Sequence, residues 1–295
     1  MYIVDFFKRI ARKSNIPVMI YLVINVFIIS GILQVFFTGG QTPYVVTCIW
    51  AVILYALSLT VALSPFGEWI LRLQNGAKPI KRADIKDYIQ PIFDEVYAQA
   101  RQKDPSIPTD VEIFLKEDPA PNAFATGRKT VCITSGLLQQ PKGQIKGVLA
   151  HEFGHLAHKD TDLILLVVVG NFFITAVMTF IKAMIIITQV IMAFVSKDFS
   201  EVLISMLTLI FINVAMWIWT KIGVLLVMKS SRSNEYEADG FAFQLGYAND
   251  LCEFLDTVCV SEKAGVFAAL ASTHPDKNDR IARLQSFGAT YRATF

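Results

Sequence analysis

The chain has 295 residues, 54% of them hydrophobic and only 18% charged, with a formal net charge of +2. Such a composition departs from that of an ordinary soluble domain, and no stretch joins basic clusters to aromatics, which argues against nucleic acid as a partner. The four cysteines are scattered without a C-x-x-C pair, so neither a disulfide frame nor a cysteine zinc cage is expected, only small, reduced, buried thiols.

From the N-terminus, Lys8, Arg9, Arg12 and Lys13 form a basic flank, and no charged residue follows between Ser14 and Gly67. Thr38 to Pro43 reads as a turn that divides this stretch into Ile16–Phe37 and Tyr44–Leu63. Each is close to the roughly 20 residues that a spanning helix needs. A cleaved signal peptide is disfavoured, because the apolar stretch is too long and a second follows at once. The basic flank predicts a cytoplasmic N-terminus, with the chain returning to that side near Glu68.

Glu68–Asp162 reads as soluble. Asp84–Lys103 predicts a helix that Pro91 either starts or kinks, Val111–Leu115 a strand, and Pro121–Ala125 with Thr130–Thr134 a hairpin around Thr126–Lys129. Pro141 suits the first turn of a further helix, although Gly143 and Gly147 inside it cost about 1 kcal/mol each in propensity. Two more uncharged runs follow, Leu163–Ile181 and Val202–Thr220, expected to span the bilayer as a hairpin with Lys182 snorkelling, lining the bundle or already near the far interface. The remainder predicts helices around Glu235, over Asn249–Val260 and over Lys277–Gln285. The expected organisation is an N-terminal membrane hairpin (1–67), a first soluble part (68–162), an inserted membrane hairpin (163–228) and a second soluble part (229–295). No internal repeat is visible.

The chemistry is concentrated in His151-Glu152-Phe153-Gly154-His155, an H-E-x-x-H pattern. On a helix, residues four apart share a face, so two imidazoles can meet one Zn²⁺ with Glu152 beside them, free to act on a water polarised there. Three of the four histidines lie within this helix. His158 is a poor third ligand, because it lies about 10 Å along the helix axis from His151; it reads as a surface or helix-end histidine. Glu235 is the better candidate, and Asp239, one turn on, can accept a hydrogen bond from the second ring nitrogen of a ligand histidine. Spacing alone does not separate that reading from an ordinary charged helix.

H-E-F-G-H, the later Ser231-Arg232-Ser233-Asn234-Glu235-Tyr236-Glu237-Ala238-Asp239, the earlier Asn122-Ala123-Phe124-Ala125-Thr126-Gly127 and Thr273-His274-Pro275 occur in one order. In that order and rough spacing, from about Pro65 to Leu284, the chain resembles the HtpX family of membrane-embedded zinc metalloproteases. Lys142 and Lys146 depart from the acidic residues that the family usually carries at the start of the zinc helix. The resemblance implies an α+β zincin-type domain on four transmembrane helices, and one zinc per chain held by His151, His155 and Glu235. It also implies Glu152 as general base, Asn122 to Ala125 as a substrate-binding edge strand, and His274 near the zinc as a donor to the developing oxyanion. Arg280 and Arg232 are expected in supporting roles. Polypeptide substrates follow, with a role in quality control of damaged membrane proteins at the cytoplasmic face of a bacterial inner membrane. An intramembrane protease is disfavoured by the charges flanking the motif. A non-enzymatic zinc-binding scaffold is disfavoured by Glu152, which metal binding does not require.

Overall fold

The uncharged N-terminal stretch folds as two helices, α1 (Ile16–Ile32) and α2 (Tyr44–Ala62). The computed structural model describes residues 16–34, 41–159, 174–189, 191, 199–258 and 276–292. α2 buries Thr47, Ala51, Tyr55 and Ser58, a single stripe at helical spacing, and leaves Val45, Trp50, Val52 and Leu57 more than half exposed. Such a surface suits lipid and not water. The stripe faces α1, where Asn25 donates to the Tyr55 hydroxyl (3.0 Å) and Ser30 to Thr47 (3.1 Å). Tyr21 stacks on Trp219 of a later helix at 4.7 Å. Tyr55 and Thr47 are thus met by polar partners on the facing helix.

A short amphipathic helix, α3 (Pro65–Asn75), follows α2 after Leu63 and an N-cap at Ser64. It buries Glu68 and Leu71 and turns Phe66, Trp69 and Leu73 outward. Next come β1 (Lys78–Pro79), which the sequence does not foreshadow, and α4 (Ala83–Lys103), a long helix that keeps Pro91 in its interior. Strands β2 (Glu112–Lys116), β3 (Ala123–Thr126) and β4 (Thr130–Thr134) complete one sheet in the order β1-β2-β4-β3. β2 and β4 run parallel in the middle, and β1 and β3 are antiparallel edges. Alternation along the strands sends Ile113, Leu115, Val131 and Ile133 to the main core, and Phe114, Phe124 and Cys132 to a small cluster on the other face.

The centre of the fold is α5 (Lys142–His158), buried on nearly all sides from Gln144 to Ala157. It packs against α4, β3, α7 (Phe199–Gln244) and α8 (Ala248–Thr257), and α9 (Lys277–Phe287) closes the core against the last two. The low propensity of Gly147 has a packing reason. A Cβ there would meet the Leu251 amide nitrogen at 2.6 Å, so the glycine lets α8 lie directly on the α5 backbone. The two unexpected lysines of α5 also have partners, Lys146 in an ion pair with Glu95 (2.7 Å) and Lys142 over the Tyr88 ring.

Two helices among the described residues are long and apolar enough to cross a membrane, over Tyr44–Val61 and Met206–Gly223. Met19–Ile32 and the helix Ile174–Gln189 (α6) are shorter apolar stretches. The expected runs around them include residues 35–37 and 163–173, which lie outside the described residues. Two boundaries differ from expectation. α6 continues through Ile181, and the Lys182 ammonium donates to Asn213 of α7 (2.9 Å), so its charge is met by a neighbouring helix. The run expected to end at Thr220 passes without a break into the Glu235 helix, because no proline interrupts residues 199–244. The expected 228/229 boundary therefore falls inside α7.

Candidate metal centre

α5 is held rotationally by Phe153, which is fully buried and stacks on Tyr97 of α4 at 5.3 Å. With Phe153 turned towards α4, His151 and His155 share another face, their Nε2 atoms 3.2 Å apart. α7 crosses α5 very closely at Gly154, where a Cβ would meet the Ala238 Cα at 2.7 Å. No other residue type lets the two backbones approach so near.

That approach delivers Glu235. Its Oε2 lies 3.5 Å from His151 Nε2 and its Oε1 lies 3.4 Å from His155 Nε2. Ligand atoms on a tetrahedral ion with bonds of about 2.0–2.1 Å stand roughly 3.3 Å apart. The 3.2 Å between the two imidazole nitrogens is the spacing of two such corners, and each nitrogen has a different Glu235 oxygen at 3.4 or 3.5 Å, so that one ligand atom from each residue lies within 4.8 Å of the others. Among the described residues these three form the group able to hold a metal ion. Two imidazoles and one carboxylate with a fourth corner open are the donor set of catalytic zinc. The residues fit the ion that the resemblance implies.

Asp239, one turn beyond Glu235 and fully buried, places Oδ1 2.9 Å from His151 Nδ1. A carboxylate there orients the ring and directs Nε2 to the cluster. Arg280 of α9 grips Asp239 with two bonds, Nε to Oδ2 (2.9 Å) and Nη2 to Oδ1 (2.6 Å), and its Nη1 lies 3.3 Å from Glu235 Oε2. Burial alone would raise the Asp239 carboxyl, but the Arg280 guanidinium and His151 outweigh it and lower the pKa to about 2. Burial and Arg280 push His151 down, while Asp239 and Glu235 pull it up; the net direction is upward.

Glu152 points the other way, towards the sheet. It is 7% exposed, and its Oε2 accepts a hydrogen bond from the Ala125 backbone N–H at 2.7 Å. Ala125 lies on β3, which pairs with β4 on one side only. Ala123 is buried, Phe124 and Ala125 are half-buried, and Asn122 is exposed just before the strand. The Asn122 backbone is tied to Thr134 through both N–H and C=O. The carboxylate thus stands between the histidine pair and a strand that is, among the described residues, the edge of the sheet.

His274 lies outside the described residues, as does the side chain of Arg232, whose backbone is part of α7. His158 ends α5, half-buried and edge-on to Phe241 at 6.2 Å, and is not one of the clustered ligand atoms. Two contacts were not anticipated from the sequence, the Ala125–Glu152 bond and one that Glu68 makes with the β3–β4 turn. A backbone N–H has no sequence signal. Glu68 has one, as the first charge after the N-terminal apolar stretch.

The model of peptidase family M48 matches residues 84–287. A protease HtpX homolog of Bacillus subtilis is 26% identical, the alignment covering 92% of this chain and 96% of that relative. Protease HtpX of Alcanivorax borkumensis is 29% identical over 78% of this chain and 80% of its own. Among solved structures, S. mikatae Ste24p superimposes with a TM-score of 0.45 at 16% identity, covering 88% of this chain and 61% of that one.

Proposed function

This chain belongs to peptidase family M48, among the HtpX-type membrane proteases, and from that premise we propose that it is a zinc metalloendopeptidase acting at the cytoplasmic face of a membrane. The observation that carries the zinc reading is the meeting of His151, His155 and Glu235, one ligand atom from each within 4.8 Å of the others and all buried or nearly so. Zinc held there supplies Lewis acidity to a scissile carbonyl and brings the pKa of water towards about 7. His151, His155 and Glu235 are its ligands, one ion per chain. Asp239 fixes the His151 tautomer, and Arg280 keeps Asp239 ionised and in place. Glu152 takes the proton of the attacking water and passes it to the leaving amine. The free edge of β3, with Asn122, Ala123, Phe124 and Ala125, aligns an extended substrate as an added strand. His274 donates an N–H to the oxygen that becomes negative, and Arg232 supports the site from α7.

The two shorter apolar helices complete a bundle of four spans, with both termini cytoplasmic in a bacterial inner membrane. Substrates are polypeptides, damaged or misfolded membrane proteins among them, and the role is quality control under stress. A zinc-binding scaffold is the other reading, and the position of Glu152 beside a strand edge disfavours it. The test is casein cleavage by the detergent-purified full chain. Cleavage should stop with a zinc chelator and return when zinc is restored; zinc binding without any cleavage would leave the scaffold reading.

A further inference from the structure

Among the described residues Glu68 is the one buried carboxylate besides Glu152, Glu235 and Asp239 of the site, and its contacts are not those of a stray charge. It lies in the first turn of α3, 6% exposed. Its Oε1 accepts from the Lys129 backbone N–H (2.9 Å) and from the Thr130 hydroxyl (2.7 Å), more than sixty residues along the chain. Arg72, one turn on, donates to the same hydroxyl at 3.4 Å and lies over the Phe114 ring at 4.9 Å. The turn is shaped around this carboxylate. Gly127 has a φ of +62°, and a Cβ on it would meet Glu68 Cγ at 2.6 Å.

The grip falls on the hairpin that carries β3. Thr130 pairs directly with Thr126, the last residue of β3, and Ala125 next to it bonds Glu152. The two ends of the grip are unequal in freedom. α3 is joined to the apolar helix α2 by two residues, and it exposes Phe66, Trp69 and Leu73, residue types that favour a bilayer interface. β3, by contrast, is an edge strand, which among the described residues pairs with β4 alone in the sheet. A buried carboxylate is costly unless its hydrogen bonds are made, and here both bonds end on the turn.

We propose that Glu68 is a positioning residue that locks the β3–β4 turn to the membrane-anchored α3 and thereby aims the free edge of β3 at an incoming substrate strand. This rests on the reading of β3 as the substrate edge. Misalignment of that edge weakens substrate pairing while leaving the metal ligands, on α5 and α7, in place.

The experiment measures zinc content, kcat and KM of the detergent-purified full chain on an extended peptide, with a backbone N-methylated peptide as control. Glu68→Ala should raise KM about tenfold, the worth of one hydrogen bond lost in alignment, with kcat and zinc nearly unchanged. Glu68→Gln, which keeps an acceptor oxygen, should restore most of the affinity. Gly127→Ala, which displaces the carboxylate from the other side, should reproduce the rise in KM, and the double variant should be no worse than the poorer single one. An unchanged KM in Glu68→Ala overturns the proposal, as does a loss confined to kcat or accompanied by loss of zinc. Should Glu68→Ala not fold, a Gly127→Ala enzyme with wild-type KM overturns it equally. If N-methylation leaves the wild-type KM unaltered, the edge-strand reading itself fails, whereas N-methylation sensitivity with an unmoved Glu68→Ala rejects Glu68 alone.

Discussion

Glu152 and Asp239 are both buried carboxylates, yet their surroundings assign them different work. Asp239 is gripped by Arg280 and His151 and stays ionised. Glu152 instead accepts from the Ala125 backbone N–H, on the side of the β-sheet. Glu152→Gln should therefore retain one zinc per chain by elemental analysis and lose peptide hydrolysis by roughly 10²–10⁴-fold; a variant that still cleaves casein at the wild-type rate would remove Glu152 as the base. Asp239→Asn keeps the shape but surrenders the charge opposite His151 and Arg280. Zinc affinity, read by competition with a chelator, should fall roughly 10–100-fold, and hydrolysis should recover at saturating zinc. The role of His274 rests on the family resemblance of its His-Pro segment: replacement by Ala should lower kcat by roughly 10²–10³ with zinc retained, as for a lost oxyanion donor. Loss of zinc in that variant would make it a ligand or a folding residue instead.

At the scale of elements, the fold depends on how closely α7 and α8 approach α5. Gly154 sets the first approach and Gly147 the second, against the Ala238 and Leu251 backbones. Helix propensity favours Ala over Gly by about 1 kcal/mol, whereas forcing a methyl into a packed contact costs about 1–3 kcal/mol. The contact wins at a distance of 2.6 Å. Gly147→Ala should lower the thermal midpoint of the detergent-solubilised protein, and a rise would mean that α8 is not seated on α5. The pattern around Gly143 and Gly147 reads in sequence as a weakness of the helix. Only the neighbouring helix shows it to be the surface on which α8 rests.

For the whole molecule, the long α7 is the element that matters most, since one continuous helix carries both an apolar membrane-length segment and Glu235 of the candidate metal centre. A metal centre built on it is held at a fixed height relative to that segment. If both termini face the cytoplasm, a single cysteine at Gln41 in a cysteine-free background should react with an impermeant thiol reagent in intact cells. One at Glu253, exposed on α8, should react only after permeabilisation. A cysteine at Asp198, outside the described residues, tests the hairpin of α6 and α7. Its protection while Gln41 reacts would make that hairpin re-entrant and reduce the spans from four to two.

The sequence by itself determined the things that follow from local spacing. Four-residue periodicity put His151 over His155 and Glu235 over Asp239, the absence of charge from Ser14 to Gly67 marked the apolar helices, and alternation with turn residues placed the β3–β4 hairpin within two residues. Helical and extended periods are properties of neighbouring residues, so they are legible without a fold. What only the tertiary structure decided are the meetings between distant segments: the 3.4–3.5 Å separations that bring Glu235 to both histidines, the two-bond grip of Arg280 on Asp239, the Ala125 N–H on Glu152, and Glu68 under the hairpin turn. β1 also belongs here, because two residues form a strand only where a partner offers an edge. Such contacts are fixed by close packing of helices and sheet around α5, which depends on the shape of every side chain in the core and has no period along the chain.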